Sequence, residues 1–259
     1  MRLLIKIGSA LISRGGGINL EWLKDKVAEI SSLHHQGHEI LIVTSGAVAA
    51  GMEIEGLRQR PKDTLKLQLL SGEGQIRLMK CYRDFFSDAG ILVAQVLLTH
   101  HNFDTRKEEE TIRTIMEAYL GQRTIPIVNE NDLVAKEELE YKRLFTDNDI
   151  LSALVAVRLR VDLLVILTDV DGLYREDPKR NSKVELLEEV GKIDQRIKRM
   201  ASRETNSLGL GGMYSKVMAA EMAAGSGIPT IVANGNFPLA DILENRVKRT
   251  FFKSAAIRA

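Results

Sequence analysis

The chain has 259 residues, with 36 Lys and Arg against 35 Asp and Glu and a formal net charge of +1. That length suits one large α/β domain, residues 1–259, with a sizeable core, and the charge balance gives no support for nucleic acid as a partner. Cys81 is the single cysteine, which excludes a disulfide framework and a cysteine-based zinc site and fits a reducing, cytoplasmic setting. The first residues read as a strand and not a signal peptide, and no apolar run nears the ~18 residues of a membrane span.

Residues 2–7 read as a buried strand ending at Gly8-Ser9, and residues 14–17 as a turn. Asn19 suits the N-cap of a helix over 19–36, with Leu20, Leu23, Val27 and Ile30 on one face and Gly37 at its end. A second strand over 39–43 runs directly into Thr44-Ser45-Gly46 and a short helix over 47–51. Two helices are expected over 63–71 and 74–88, then a strand over 91–98 and a long polar-faced helix over 102–120. A fourth strand over 124–128 ends in Asn129-Glu130-Asn131-Asp132, and residues 134–144 form a charged excursion, read as a flap. Thr146 caps a helix with Asp147, Asn148 and Asp149 in its first turn and 150–159 as its body. The strand over 163–167 ends in Thr168-Asp169-Val170-Asp171-Gly172, a helix lies near 195–202, and a sixth strand over 230–233 ends at Asn234-Gly235. This alternation implies a three-layer α-β-α sandwich around a mainly parallel open sheet. Cys81 falls in a helical run and reads as a small buried hydrophobe. His34 and His35 read as surface residues favoured by a helix C-terminus, and no histidine has a metal-ligand spacing, so no metal site is assigned.

One stretch resists a purely structural description: Leu208-Gly209-Leu210-Gly211-Gly212-Met213-Tyr214-Ser215-Lys216, followed by an alanine-rich helical run to Gly225. Its clustered glycines cannot be a stable helix or strand interior, so it is a glycine loop feeding a helix with a lysine in its first turns. Bare backbone N–H groups, a helix N-terminus and a full positive charge suit a polyphosphate. The spacing is neither a Walker A loop nor G-x-G-x-x-G, and a plain flexible loop before a surface helix is the other reading.

Most of the buried strands end in a small or polar cluster: Lys6/Gly8/Ser9, Thr44/Ser45/Gly46, Asn129–Asp132, Thr168/Asp169 and Asn234/Gly235. In an open parallel sheet those ends share one edge, where ligands bind. Turn chemistry alone explains Gly, Asn, Asp and Ser there. It does not explain Lys6 inside an apolar strand, because a buried ammonium needs an anionic partner. Asp169 and Asp171 fit a Mg²⁺ pair or a simple turn equally well. No Ser/His/Asp or Cys/His triad can be argued.

Six motifs occur in order: Lys6-Ile-Gly-Ser9, Val43-Thr-Ser-Gly-Ala47, Val128-Asn-Glu-Asn-Asp132, Asp147-Asn-Asp149, Leu167-Thr-Asp169 with Asp171-Gly-Leu-Tyr174, and Gly211-Gly-Met-Tyr-Ser-Lys216. Together they resemble the amino acid kinase family over about residues 2–252. The resemblance implies ATP-dependent phosphorylation of the γ-carboxylate of L-glutamate, the first step of proline biosynthesis, with Mg²⁺ bound mainly through the ATP phosphates. It implies that Lys6 and Lys216 neutralise the transferring phosphoryl group and that Asp149 holds both lysines. It gives glutamate to Ser45, Gly46, Asp132 and Asn148, with Asn129 and Asn131 nearby. It gives ATP to Lys6, Gly8, Ser9, Thr168, Asp169 and the run Leu210, Gly211, Gly212, Met213, Tyr214, Ser215 and Lys216. An amino-acid side over about 1–160, an ATP side over about 161–259, a homo-oligomer (dimer or tetramer) and proline as feedback inhibitor are further implications. Leu210 and Thr146 depart from the family's usual residues, and a C-terminal PUA-type domain, common in relatives, is expected to be absent. Kinases of the same fold acting on another carboxylate or phosphate, such as aspartate, N-acetylglutamate or a nucleoside monophosphate, and a nucleotide- or amino-acid-sensing module without turnover, are the competing expectations.

Overall fold

A computed structural model describes residues 1–134, 148–176, 184–203 and 212–254. Its centre is β1, Arg2–Ile7, whose residues from Leu3 to Ile7 are all buried. The chain then forms a short helix α1 (Ser9–Ile12), a small hairpin of β2 (Ser13–Arg14) and β3 (Gly17–Ile18), and helix α2 (Leu20–His35). Strand β4 (Glu39–Val43) is followed by α3 (Ala47–Ile54) and α4 (Thr64–Ser87). Next come β5 (Val93–Leu98), a 3₁₀ turn at His100–Phe103, α5 (Arg106–Gly121) and β6 (Ile125–Glu130). Helix α6 (Asn148–Arg158), β7 (Leu163–Thr168), β8 (Glu189–Val190), α7 (Gln195–Arg203) and α8 (Met213–Gly225) follow. The last elements are β9 (Thr230–Asn234), α9 (Leu239–Leu243) and β10 (Arg249–Phe252).

The main sheet has eight strands in the order β5-β6-β4-β1-β7-β9-β10-β8. The strands from β5 to β9 are parallel, and only β10 runs antiparallel to its neighbour β9. In the centre, Lys6 lies opposite Val43 on one side and Ile166 on the other. Period-two alternation then divides the core. Leu3, Ile5 and Ile7 pack with α2, α3 and α4 in one cluster. Leu4, with Leu41, Leu164 and Ile166, packs with α5, α6 and α8 in the other. Lys6 shares the face of Leu4 and so points toward α6 and α8. The expected three-layer α-β-α architecture is the observed one.

Several local expectations are corrected. The two helices expected over 63–71 and 74–88 are one helix, α4, N-capped by Asp63, whose side chain accepts from Lys66 N at 2.8 Å. Its internal Gly72 and Gly74 cost helix propensity, but Gly74 is where α4 crosses α3. A Cβ there would lie 1.9 Å from Ala47 O, and one on Gly51 would lie 2.0 Å from Leu70 O. The helices touch backbone to backbone, and that packing outweighs propensity. The turn over 14–17 belongs to a hairpin, the helix over 102–120 is split at residues 104–105, and β8 and β10 bring the sheet from the expected six strands to eight. His34 is buried, not on the surface, with Nε2 3.1 Å from Arg123 O. Cys81 is buried as expected. The flap over 134–144 and the Thr146 cap fall almost wholly outside the described residues.

The glycine crossing fixes an outcome of opposite sign to propensity. Helix propensity alone makes Gly74→Ala about 1 kcal/mol more stable. Steric overlap at Ala47 O makes it less stable by about 1–3 kcal/mol or more, which chemical denaturation of the variant will show as a lowered midpoint with the same m-value.

Candidate active site

The carboxyl ends of β1, β4, β6, β7 and β9 lie along one edge of the sheet, and the N-termini of α6 and α8 come over that edge. Each end brings polar groups because an apolar strand must stop where its backbone turns. At β1 the chain passes through Gly8, whose N–H donates to Leu167 O at 3.0 Å. A Cβ on Gly8 would sit 2.9 Å from that same oxygen, so only glycine fits. At β4 it passes through Gly46 with φ of 110°, the left-handed N-cap of α3. A side chain there would also meet Ile12 Cγ2 at 2.9 Å.

The centre of the edge is Asp149, in the first turn of α6 and fully buried. One of its oxygens is bound by the Lys6 ammonium, and the other accepts from Lys216 Nζ at 2.9 Å. Ser215 Oγ adds a contact to the second oxygen at 2.8 Å and lies 2.9 Å from Gly212 O. Both lysines are only 3% exposed. Burial by itself would push the Asp149 carboxyl up, but the charges of Lys216 and Lys6 override it and hold the carboxyl well below the usual range. The three groups together carry one net positive charge. A lysine in the first turn of α8 opposes the helix dipole, so its position there needs a reason beyond helix stability. Facing an anion is such a reason.

A second group surrounds the ends of β4 and β6. Asn148 Nδ2 donates to Ser45 Oγ at 3.0 Å and to Asn129 Oδ1 at 3.2 Å. Asn129 Nδ2 donates to Gln75 Oε1 at 2.8 Å. Asp132 accepts from the Ser71 hydroxyl, and its backbone O accepts from Gln68 Nε2 at 3.1 Å. Burial pushes the Asp132 carboxyl above its ordinary pKa, while the Ser71 hydroxyl and the Arg60 charge pull it back in part. Thr44 Oγ1 and the buried Tyr82 hydroxyl lie 2.7 Å apart beneath this group.

On the other side, Thr168 Oγ1 donates to Asp169 at 3.2 Å. Asp171 accepts from the Tyr174 hydroxyl at 3.0 Å and from Asn234 Nδ2 at 3.2 Å, which ties the β7 and β9 ends together as a turn.

The structure thus brings together Lys6, Asp149, Ser215 and Lys216 in one cluster, and Ser45, Asn129 and Asn148 in another. Asn131 is held through its backbone N–H to Leu98 O at 2.9 Å, and Ser9 is exposed at the start of α1. Gly212 caps α8. Met213 and Tyr214 pack against the second hydrophobic cluster, Met213 inside it. Leu210 and Gly211 lie outside the described residues. Sequence reasoning missed Gln68, Ser71 and Gln75. Their signal was present: three polar residues at i, i+3 and i+7 form a buried stripe on α4.

Comparison with known proteins identifies the family and the fold. A family model described as the amino acid kinase family matches residues 1–234. The chain is similar to a glutamate 5-kinase of Carboxydothermus hydrogenoformans, 41% identical over 97% of this chain and 67% of that one. It is similar to one of Thermus thermophilus, 41% identical over 92% of this chain and 62% of that one. It is also similar to one of Lactiplantibacillus plantarum, 38% identical over 92% of this chain and 90% of that one. The chain thus spans about two thirds or less of the first two relatives. Among solved structures, a carbamate kinase from Giardia lamblia bound to AMP-PNP superposes with a TM-score of 0.66 at 14% identity, covering 97% of this chain and 98% of that one. An isopentenyl phosphate kinase gives 0.65 at 16% identity, over 98% of this chain and all of that one. These structures share the fold. On the family match and the sequence identities, the chain belongs to the amino acid kinase family, and the curated relatives it matches are named glutamate 5-kinases.

Proposed function

We propose that the chain transfers the terminal phosphoryl group of ATP to the side-chain carboxylate of L-glutamate, giving L-glutamyl 5-phosphate for proline biosynthesis. The observation that carries this reading is the pair of buried ammonium groups on the two oxygens of Asp149, at the ligand-binding edge of the sheet. The relatives named glutamate 5-kinases supply the acceptor.

A free glutamate side chain ordinarily titrates at about pH 4.3, so it is already an ionised nucleophile at neutral pH. No general base is required, and the protein's task is in-line positioning and neutralisation of charge. Lys6 and Lys216 neutralise the transferring group from its two sides. Asp149 fixes the separation and aim of both. Gly212 presents bare backbone to the phosphates, with Gly8 and Ser9 beside them. Thr168, Asp169 and residues 210–216 hold the nucleotide. Ser45, Gly46, Asn129, Asn131, Asp132 and Asn148 hold glutamate, Asp132 taking its ammonium group. Mg²⁺, held through the ATP phosphates, would neutralise part of their charge. Residues up to about 160 form the amino-acid side and residues 161–259 the ATP side. Inhibition by proline and assembly as a homo-oligomer complete the reading, on likeness to the relatives. ADP release and hydroxylamine-trapped acyl phosphate, measured with glutamate, aspartate and N-acetylglutamate and with or without proline, test it. A product from another acid but none from glutamate sinks it.

Two outcomes follow from the geometry. Lys216→Ala loses at least about a hundredfold in kcat, the effect of removing one preorganised charge donor, while circular dichroism stays that of the wild type. Near-normal turnover would take Lys216 out of the reaction. The second concerns pH. Burial raises the Asp132 pKa, so its carboxylate protonates at a higher pH than an ordinary Asp of about 3.9. As pH falls through that raised value, the ammonium partner is lost and KM for glutamate rises. Asp132→Asn has a high KM throughout and retains only the substrate's own titration. A wild-type KM that is flat until the substrate itself protonates would contradict this role.

A further inference from the structure

Gln75 on α4 belongs to none of the six motifs. Its side chain is only 8% exposed. Its Oε1 accepts from Asn129 Nδ2 at 2.8 Å. With its NH₂ turned to Gln75, Asn129 presents Oδ1 to the backbone N–H of Glu130 at 2.9 Å and to Asn148 Nδ2 at 3.2 Å. Asn148 Nδ2 also reaches Ser45 Oγ at 3.0 Å. If the Asn129 amide were reversed, its NH₂ would face the NH₂ of Asn148, donor against donor. The backbone N–H of Glu130 can only donate, so it fixes Asn129 Oδ1 and the direction of the relay, which obliges Gln75 to present Oε1 and leaves its Nε2 over.

The relay ends in two open positions. Gln75 Nε2 and Asn148 Oδ1 are buried, and neither has a hydrogen-bond partner among the described residues. Leaving a buried donor and a buried acceptor unmade is costly, and such groups in a native fold ask for an explanation. Relaxation of α4 cannot supply one. The residue before Gln75 is Gly74, which the backbone of α3 touches with no room for even a Cβ. That backbone-to-backbone contact opposes a shift of α4 that would bring Nε2 to another partner. A ligand that carries both an anionic oxygen and an ammonium group satisfies both ends of the relay, and an α-amino acid carries both.

We propose that Gln75 is a specificity-determining residue of the amino-acid subsite. Its Oε1 accepts from Asn129, whose direction the Glu130 N–H fixes, while its Nε2 donates to a carboxylate oxygen of bound glutamate. Asn148 Oδ1 is thereby left open to the substrate's ammonium group. This inference rests on glutamate as the acceptor.

Two variants test it. Gln75→Met removes donor and acceptor at similar length. Gln75→Glu keeps an acceptor for Asn129 but removes the donor and sets a negative charge against the substrate. Steady-state ADP release gives KM for glutamate and for ATP separately, and thermal unfolding reports the fold. Both variants raise KM for glutamate at least about tenfold, the loss expected for one hydrogen bond to a charged group, and leave KM for ATP within about twofold. A role confined to accepting from Asn129 leaves Gln75→Glu close to the wild type, which overturns the donor assignment. A folded Gln75→Met with unchanged KM for glutamate overturns the whole proposal, as does a parallel rise in both KM values. Where Gln75→Met fails to fold, calorimetric titration of Gln75→Glu with glutamate decides. A wild type with no glutamate-dependent ADP release removes the acceptor assignment first, and this inference with it.

Discussion

The carboxylate of Asp149 is held between two buried ammonium groups, and much of the molecule is arranged to make that possible. A buried charge is strongly unfavourable unless it is paired with good geometry. Here a central strand, β1, and two helices on one face, α6 and α8, each contribute one member. Lys6 reaches the correct face because strand periodicity puts it beside Leu4 and not beside Ile5. Lys216 reaches it because α8 is rich in alanine on its inner side, and the small residues Ala219, Ala220 and Ala223 let the helix lie close. The ion triad is a weak source of stability, since its desolvation offsets its attraction. Its value lies in placement: two cations are kept at a fixed separation while neither is neutralised alone.

The ends of β4 and β6 are organised by a different constraint. Helices α3 and α4 cross at Gly51 and Gly74 with backbone against backbone. That contact places Ser45 and Gly46, at the start of α3, next to the polar stripe of Gln68, Ser71 and Gln75 on α4. One half of the edge is therefore built from charge pairing and the other from amide hydrogen bonds, whose direction matters more than their number. Both devices preorganise a polar surface before any ligand arrives.

The architecture and the reactive edge were legible because they follow from local rules. Hydrophobic runs, glycine punctuation and the anomaly of a lysine inside an apolar strand are all one-dimensional signals. What stayed hidden depends on contacts between distant residues. Gly72 and Gly74 read as a helix break, because nothing local shows that α3 lies against them. Strands β8 and β10 are too short to announce themselves, and β10 exists because Thr250 Oγ1 accepts from Leu173 N at 2.8 Å and Phe252 enters the core. His34 looked like a surface residue at a helix end until the Arg123 carbonyl came to meet it. Gln75 was unremarked because a buried glutamine shows its purpose only through its partner.

The position of β1 also has a meaning for synthesis. It precedes every other strand of the sheet in the chain, yet it lies in the middle, between β4 and β7. Its β4 side can pair early, once residue 43 has emerged. Its β7 side, from Leu3 to Ile7, has no strand to pair with until Leu163–Thr168 is made. For that interval the growing chain carries an apolar strand with one open row of backbone donors and acceptors, the feature that invites wrong pairing. Lys6 sits near the end of that open edge. A charge on an unpaired strand discourages association with other strands, so the same ammonium that later faces Asp149 interrupts that open apolar edge while it is exposed.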